Sequence, residues 1–221
     1  MRAALYLIIN KKFMKKIIIV ITLVCLCNTI VQAQISKGSV LLGGGLSVES
    51  AQAEYDGEEL GSESSLSFGP SIGYFVSDGI AVGLNLSIVN QRSSEDDFDF
   101  GTYEVETSAI GIGPFIRFYK VSSNENFAFF AQGSLSFISG STKESYDGDS
   151  DKAKLKGLDV AISPGFAYFF NERWSAELLF RGIAYTSLTP DKRNDELKLT
   201  TITIGLDSLT PTLGLRVYLG Q

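Results

Sequence analysis

The chain has 221 residues, 19 basic against 25 acidic, and no histidine. The shortage of cations excludes nucleic acid as a partner, because phosphate binding needs a basic face. The missing histidine removes the usual general base of hydrolases. Both cysteines, Cys25 and Cys27, fall in the first segment, so neither disulfide nor thiol chemistry is available beyond it.

That first segment is residues 1–33. Lys15 and Lys16 precede the apolar "IIIVITLVCLC", and "NTIVQAQ" puts Val31 and Ala33 at the −3 and −1 places of a cleavage site. The apolar stretch is shorter than the roughly 20 residues a spanning helix needs. The expectation is a signal peptide over 1–33, with translation starting at Met14 and one domain over 34–221; a membrane anchor is the alternative. Removing the five basic residues of 1–33 leaves 14 basic against 25 acidic, a net charge of −11.

From Gln34 onward apolar residues recur at every second position, the period of a half-buried strand. In chain order the runs span 40–48, 66–76, 80–88, 110–118, 127–137, 158–170, 174–180 and 209–219. None has a helical period. Short connections, "VSDG" (76–79), "VSSNEN" (121–126) and "NER" (171–173), alternate with longer polar ones near 55–63, 93–103, 142–156 and 188–198. Eight strands joined this way make an antiparallel up-and-down meander. A proline-led phrase recurs in alternate strands: "GPSIGYF" (69–75), "GPFIRFY" (113–119), "SPGFAYF" (163–169) and "TPTLGLRVYL" (210–219). It marks the strands of one direction. Proline removes a ladder donor, so a bulge or loosened pairing is expected at Pro70, Pro114, Pro164 and Pro211.

Two eight-stranded barrels fit such a meander. A lipocalin-like barrel is apolar inside and polar outside; a membrane barrel is the reverse. The alternate face decides. It holds Ser65, Ser67, Gly69, Ser71 and Gly73 in the second run, and Ala128, Phe130, Gln132, Ser134 and Ser136 in the fifth. Lys and Glu are nearly absent from it, whereas an exterior in water would carry both. Small residues suit a narrow lumen, and the large apolar face suits lipid, where a charge costs about 2–4 kcal/mol at the midplane. The fold expected is all-β, an eight-stranded antiparallel up-and-down transmembrane β-barrel. Aromatics at the short-turn end, Tyr74, Phe75, Phe118, Tyr119, Phe127, Phe169, Phe170, Trp174 and Tyr218, are expected to form an interfacial girdle. A thinner set, Tyr55, Phe98, Tyr103, Tyr146 and Tyr185, lies toward the long connections.

Charge on the inward face is sparse. Arg117, Glu177 and Arg216 each fall three or four residues from a short turn or the chain end. Buried charges need partners, so Glu177 is expected to pair with Arg216 on the neighbouring strand, with Arg117 near the same level. Asp159 and Arg181 extend the polar lumen upward. The alternative is separate hydration in a wet lumen. No site for catalysis, cofactor or metal is assigned. "DGDSDKAKLKGL" (147–158) opens like a calcium loop with Asp147, Asp149 and Asp151, but has Lys152 in place of the sixth-position glycine and Leu158 in place of the final glutamate, so it reads as a solvated acidic loop.

The proline phrase and the last strand, "TLGLRVYLG", together resemble the small outer-membrane β-barrel family of Bacteroidetes type, and more loosely the OmpX/OmpA-like eight-stranded barrels. The resemblance covers 34–221. It implies that Thr212, Gly214, Val217 and Leu219 form the terminal signal read by the barrel-assembly machinery. It also implies the outer membrane of a Gram-negative bacterium, a monomer, and contact with outer-membrane lipid and lipopolysaccharide. The acidic connections would reach lipopolysaccharide through divalent cations or bind a basic partner; solvated surface is the default. The expected function is non-enzymatic, a structural or surface-interaction barrel; the alternative is a small porin-like channel.

Overall fold

The computed structural model describes residues 35–55, 58–97, 101–122, 126–146, 149–191, 198–204 and 211–220. The expected signal peptide, Met14 and Asp147 lie outside these. The described chain is built from strands: β1 (Val40–Tyr55), β2 (Glu58–Ser77), β3 (Ile80–Asp97), β4 (Gly101–Val121), β5 (Phe127–Tyr146), β6 (Asp149–Phe169), β7 (Trp174–Leu179), β8 (Ile183–Asp191), β9 (Leu199–Ile204) and β10 (Thr212–Leu219). All pairings are antiparallel.

The pairings close a ring. Each of β1 to β6 pairs with the next, β6 pairs with β7, β7 with β10, and β10 returns to β1 through Val40↔Leu219 to Leu46↔Leu213. Where β1 meets β10 the ring presents no edge to lipid; among the described residues β9 and β1 beyond Leu46 are each paired on one side. Eight strands make this ring, but ten elements build the sheet. β7 fits the expected seventh run, 174–180, and β10 the eighth, 209–219; β8 and β9 lie between them, where no run was expected, β8 pairing with β6 beyond β7 and β9 with β8. The eighth run was expected from 209; its paired part begins at Thr212.

The long connections expected near 55–63, 93–103 and 142–156 are mostly strand among their described residues, and the one near 188–198 is strand as far as Asp191. β5 and β6, for example, pair from Phe127↔Tyr168 out to Tyr146↔Asp149. A hairpin leaving the apolar zone keeps its ladder, because a backbone pair is satisfied whatever its side chains, and Ser- and Thr-rich segments take the extended form readily. Alternating polarity disappears there, so the periodic signal stops before the strand does. The short-turn end matches more closely: Asp78 and Gly79 turn the chain, with Gly79 at φ 72°, a region that favours glycine.

Outward positions carry Leu46, Leu66, Ile72, Leu84, Ile110, Ile112, Phe129, Ile162, Leu213 and Leu215, all exposed. Inward positions carry the buried Leu41, Phe75, Ala81, Phe115, Ala128, Phe130, Ala167, Phe169 and Tyr218 together with buried Arg117, Glu177 and Arg216. The expected girdle is therefore halved. Tyr74, Phe118, Phe127 and Trp174 face outward. Phe75, Phe169 and Tyr218 are buried in the lumen, and Tyr119 packs against them. Adjacent strand residues point to opposite faces, so one member of each aromatic pair must turn inward. Of the thinner set, Tyr103 and Tyr146 stand opposite each other at the outer end of β4 and β5, well above the apolar belt.

Pro70, Pro114 and Pro164 each interrupt one ladder and spare the other. Between β2 and β3 the ladder lapses from Phe68↔Ile88 to Ser71↔Asn85, and between β4 and β5 from Ile112↔Phe137 to Phe115↔Ser134. On β6 it passes from Ile162↔Ile183 to Gly165↔Leu179, so Ser163 and Pro164 face the break between β7 and β8. On their other sides Pro70, Pro114 and Pro164 stay paired with Gly44, Leu84 and Ala131. The lapse is always toward the strand that follows in the chain.

Candidate functional site

Near the short-turn end the lumen is crossed by side chains from five strands. Glu177, on β7, is 3% exposed. Its Oε2 accepts from Arg117 Nη1 at 2.7 Å and from Arg216 Nε at 3.0 Å. Its Oε1 accepts from the Tyr119 hydroxyl at 3.2 Å and the Tyr218 hydroxyl at 3.4 Å. The carboxylate is thus satisfied on both oxygens, as a buried charge must be. Arg117 also donates through Nε and Nη2 to Gln132 Oε1, its cross-strand neighbour on β5, at 3.0 and 2.6 Å. The Arg117 guanidinium lies 4.2 Å from the centroid of the Phe130 ring, close enough for a cation–π contact.

Arg216, on β10, reaches across β1 and hydrogen-bonds Ser71 on β2. It can cross because residue 43, paired with both Arg216 and Ser71, is glycine. A Cβ there would lie 2.6 Å from Arg216 Cδ. Gly214 stands opposite Glu177, where a Cβ would come within 3.3 Å of the Glu177 Cβ. Below the charges, Phe75, Phe169, Tyr218 and Leu41 pack with Ile35 into an apolar floor. The backbone of 35–39 closes this floor through Gly38 N to Phe75 O at 2.9 Å and Gly79 N to Ile35 O at 2.7 Å. Above the charges the lumen widens to a cavity of 630 Å³ lined by serines of β2, β3 and β5, with Arg216 and Gln132 at its base.

Asp159 and Arg181 meet in this cavity, above the first cluster. They form an ion pair, and Thr186 donates to Asp159 at 2.7 Å and accepts from Arg181 at 3.0 Å. Arg181 lies in the break between β7 and β8, and its side chain is 45% exposed, while that of Asp159 is 13% exposed. The structure therefore brings Arg117, Glu177 and Arg216 into one contact network and sets Asp159 with Arg181 apart. Gln132, Tyr119, Tyr218 and Ser71 were not foreseen as members. Their parity along the strands, inward with Arg117 and Arg216, was the available signal. Of the terminal set, Thr212 opens β10, Gly214 faces the lumen, and Val217 and Leu219 face outward. Asp149 and Asp151 lie on β6, and among the described residues no acidic group assembles a metal site.

A closed ring with an apolar exterior and a charged lumen is a membrane barrel, and residues 19–207 match the outer membrane protein beta-barrel domain family. The chain belongs to that family. It is an all-β antiparallel barrel of the outer membrane of Gram-negative bacteria. Among solved structures, this outer-membrane barrel is similar to the outer membrane protein OprG of Pseudomonas aeruginosa, with 14% identity over 86% of this chain and 99% of OprG at a TM-score of 0.51. It also aligns with Neisserial surface protein A at 13% identity over 82% of this chain and 97% of that one, TM-score 0.40. Ail, the attachment invasion locus protein of Yersinia pestis, gives 14% identity over 83% and 99%, TM-score 0.38. No curated protein sequence matches the barrel.

Proposed function

We propose that the protein is a non-enzymatic barrel that shuts its own lumen and acts through the hairpins it presents outside the cell. The observation that carries this is the Glu177 network. Five strands contribute to it, it spans the lumen, and an apolar floor lies beneath it. An eight-stranded interior is narrow enough for side chains to fill. Short turns face the periplasm and long hairpins the exterior, as in other bacterial barrels. The hairpins carry exposed Glu63 and Glu95, which suit a basic partner or lipopolysaccharide bridged by divalent cations. The chain works as a monomer in this reading, and the barrel-assembly machinery inserts it by way of β10.

The second reading, a small channel, rests on the 630 Å³ cavity above the network. Planar-bilayer recording separates the two. Wild type is expected to give no resolved steps and Glu177→Ala to give them; steps of equal size in both establish the channel instead. An epitope inserted between Tyr146 and Asp149 is expected to bind antibody on intact cells. Binding only after permeabilisation reverses the orientation.

A further inference from the structure

We propose that the outer surface of the β5–β6 hairpin binds the phosphate groups of the phosphorylated glycolipid in the outer leaflet. The surface is a ladder of four exposed lysines. Lys152, Lys154 and Lys156 occupy alternate positions of β6, while the intervening Ala153 and Leu155 are buried on the other face. Lys143 is exposed on β5 and stands directly opposite Lys152. Like charges at opposed positions destabilise a ladder, so the arrangement calls for an anion.

The chain supplies too few. Glu106 stands opposite Lys143 on β4 and, at 3.1 Å, shares Arg92 with Glu104 at 3.3 Å, so that trio leaves a single negative charge. Asp191 stands opposite Lys154 on β8. Both counted in full, the face still has more lysine than carboxylate, on a chain whose net charge is −6.

Depth selects the ligand. Phe137 pairs with Leu158 at the top of the lipid-facing belt, and Ser139 pairs with Lys156 one outward step above it. Successive outward lysines climb by roughly 7 Å each along the strand. Lys156 is therefore at headgroup level, continuous with the surface that touches acyl chains at Phe137, Val160 and Ile162. Anions met at that depth are lipid phosphates, and lysine binds phosphate as a mobile point charge. This mode differs from divalent bridging through the acidic hairpins, which needs a metal ion. It rests on the orientation proposed above, which the epitope experiment tests by itself.

The test uses the full chain refolded in detergent micelles doped with diphosphoryl lipid A, followed by quantitation of the lipid that stays bound through gel filtration. Wild type is expected to retain it in the presence of EDTA and of excess inorganic phosphate. Each lysine changed to serine is expected to lower retention about fivefold, and the quadruple K143S/K152S/K154S/K156S to abolish it. The quadruple K143R/K152R/K154R/K156R variant should retain it. Dephosphorylated lipid A should not be retained by any variant. The shift in band position between unboiled and boiled samples certifies that each variant is folded. Equal retention by wild type and the quadruple serine variant overturns the proposal. So does loss of retention on EDTA, which assigns binding to metal bridges, or competition by inorganic phosphate, which makes the surface a site for the free ion.

Discussion

Glu177 is the residue on which the lumen depends. It gives one carboxylate to two guanidiniums and two tyrosine hydroxyls. Removing one partner of a buried ionic network leaves the others charged and unsolvated. Glu177→Ala is therefore expected to lower stability by about 3–5 kcal/mol, measured by urea unfolding in lipid vesicles. Combined with Arg216→Ala it should be less than additive, with a coupling of about 0.5–3 kcal/mol; strict additivity removes the pair. Tyr119→Phe loses one hydroxyl that both accepts from Arg117 and donates to Glu177, so its cost should be nearer 1 kcal/mol. The charged members were legible in the sequence because few charges interrupt the inward parity, and those few sit at one distance from the short turns. The neutral members share that inward parity, but nothing else in the sequence set them apart. Tyr119 and Tyr218 share a segment with lipid-facing aromatics, and composition alone does not tell an interfacial hydroxyl from a buried one.

At the scale of strands, glycine and aromatic residues share the lumen between them. Phe115 covers Gly73 and Gly83, where added Cβ atoms would meet its ring at 3.0 and 2.8 Å. Phe130 pairs across the ladder with Gly165, whose Cβ would lie 2.6 Å from the Phe130 Cε2. This explains part of the repeated phrase: its glycines are seats for rings carried by neighbouring strands. Gly165→Ala is expected to cost about 1–3 kcal/mol by overpacking, and Phe130→Leu should recover much of that loss in the double variant. The Leu178 carbonyl lies 2.5 Å from the same Cβ; if Phe130→Leu recovers nothing, that backbone group is the obstacle and the ring is not. Strand existence and facing were legible from period 2 because one face meets lipid. The continuation of β5 to Tyr146 and the break after Leu179 were not, since both are set by pairing partners: the first by β6, the second by the lapse of the β6 ladder at Ser163 and Pro164 on the side of β7 and β8.

The whole molecule is distinguished from a soluble barrel by what lies on its outside. The outward apolar runs cover about 9–11 residues in β2, β3, β4 and β5, the length a tilted strand needs to cross a bilayer, and the strands then project beyond it. No Lys, Arg, Asp or Glu falls on the outward parity of those four runs, from Leu66 to Val76, Ile80 to Ile88, Ile110 to Phe118 and Phe127 to Phe137. Leu84 lies in the middle of its run and is 53% exposed. In water such a position tolerates a charge, since exposed substitutions usually change stability by no more than about 0.5 kcal/mol. In hydrocarbon an arginine at midplane depth costs about 2–4 kcal/mol, falling to about 0–1 kcal/mol near the interface. Leu84→Arg is therefore expected to lose about 2–4 kcal/mol in vesicles. Ser108→Arg, on the outward face of the neighbouring β4 but beyond the belt, should lose about 0–1 kcal/mol. Urea unfolding of both variants in vesicles reads the difference directly. Equal, small losses at the two sites would mean that Leu84 faces water, and the belt assigned to lipid would have to be moved or abandoned.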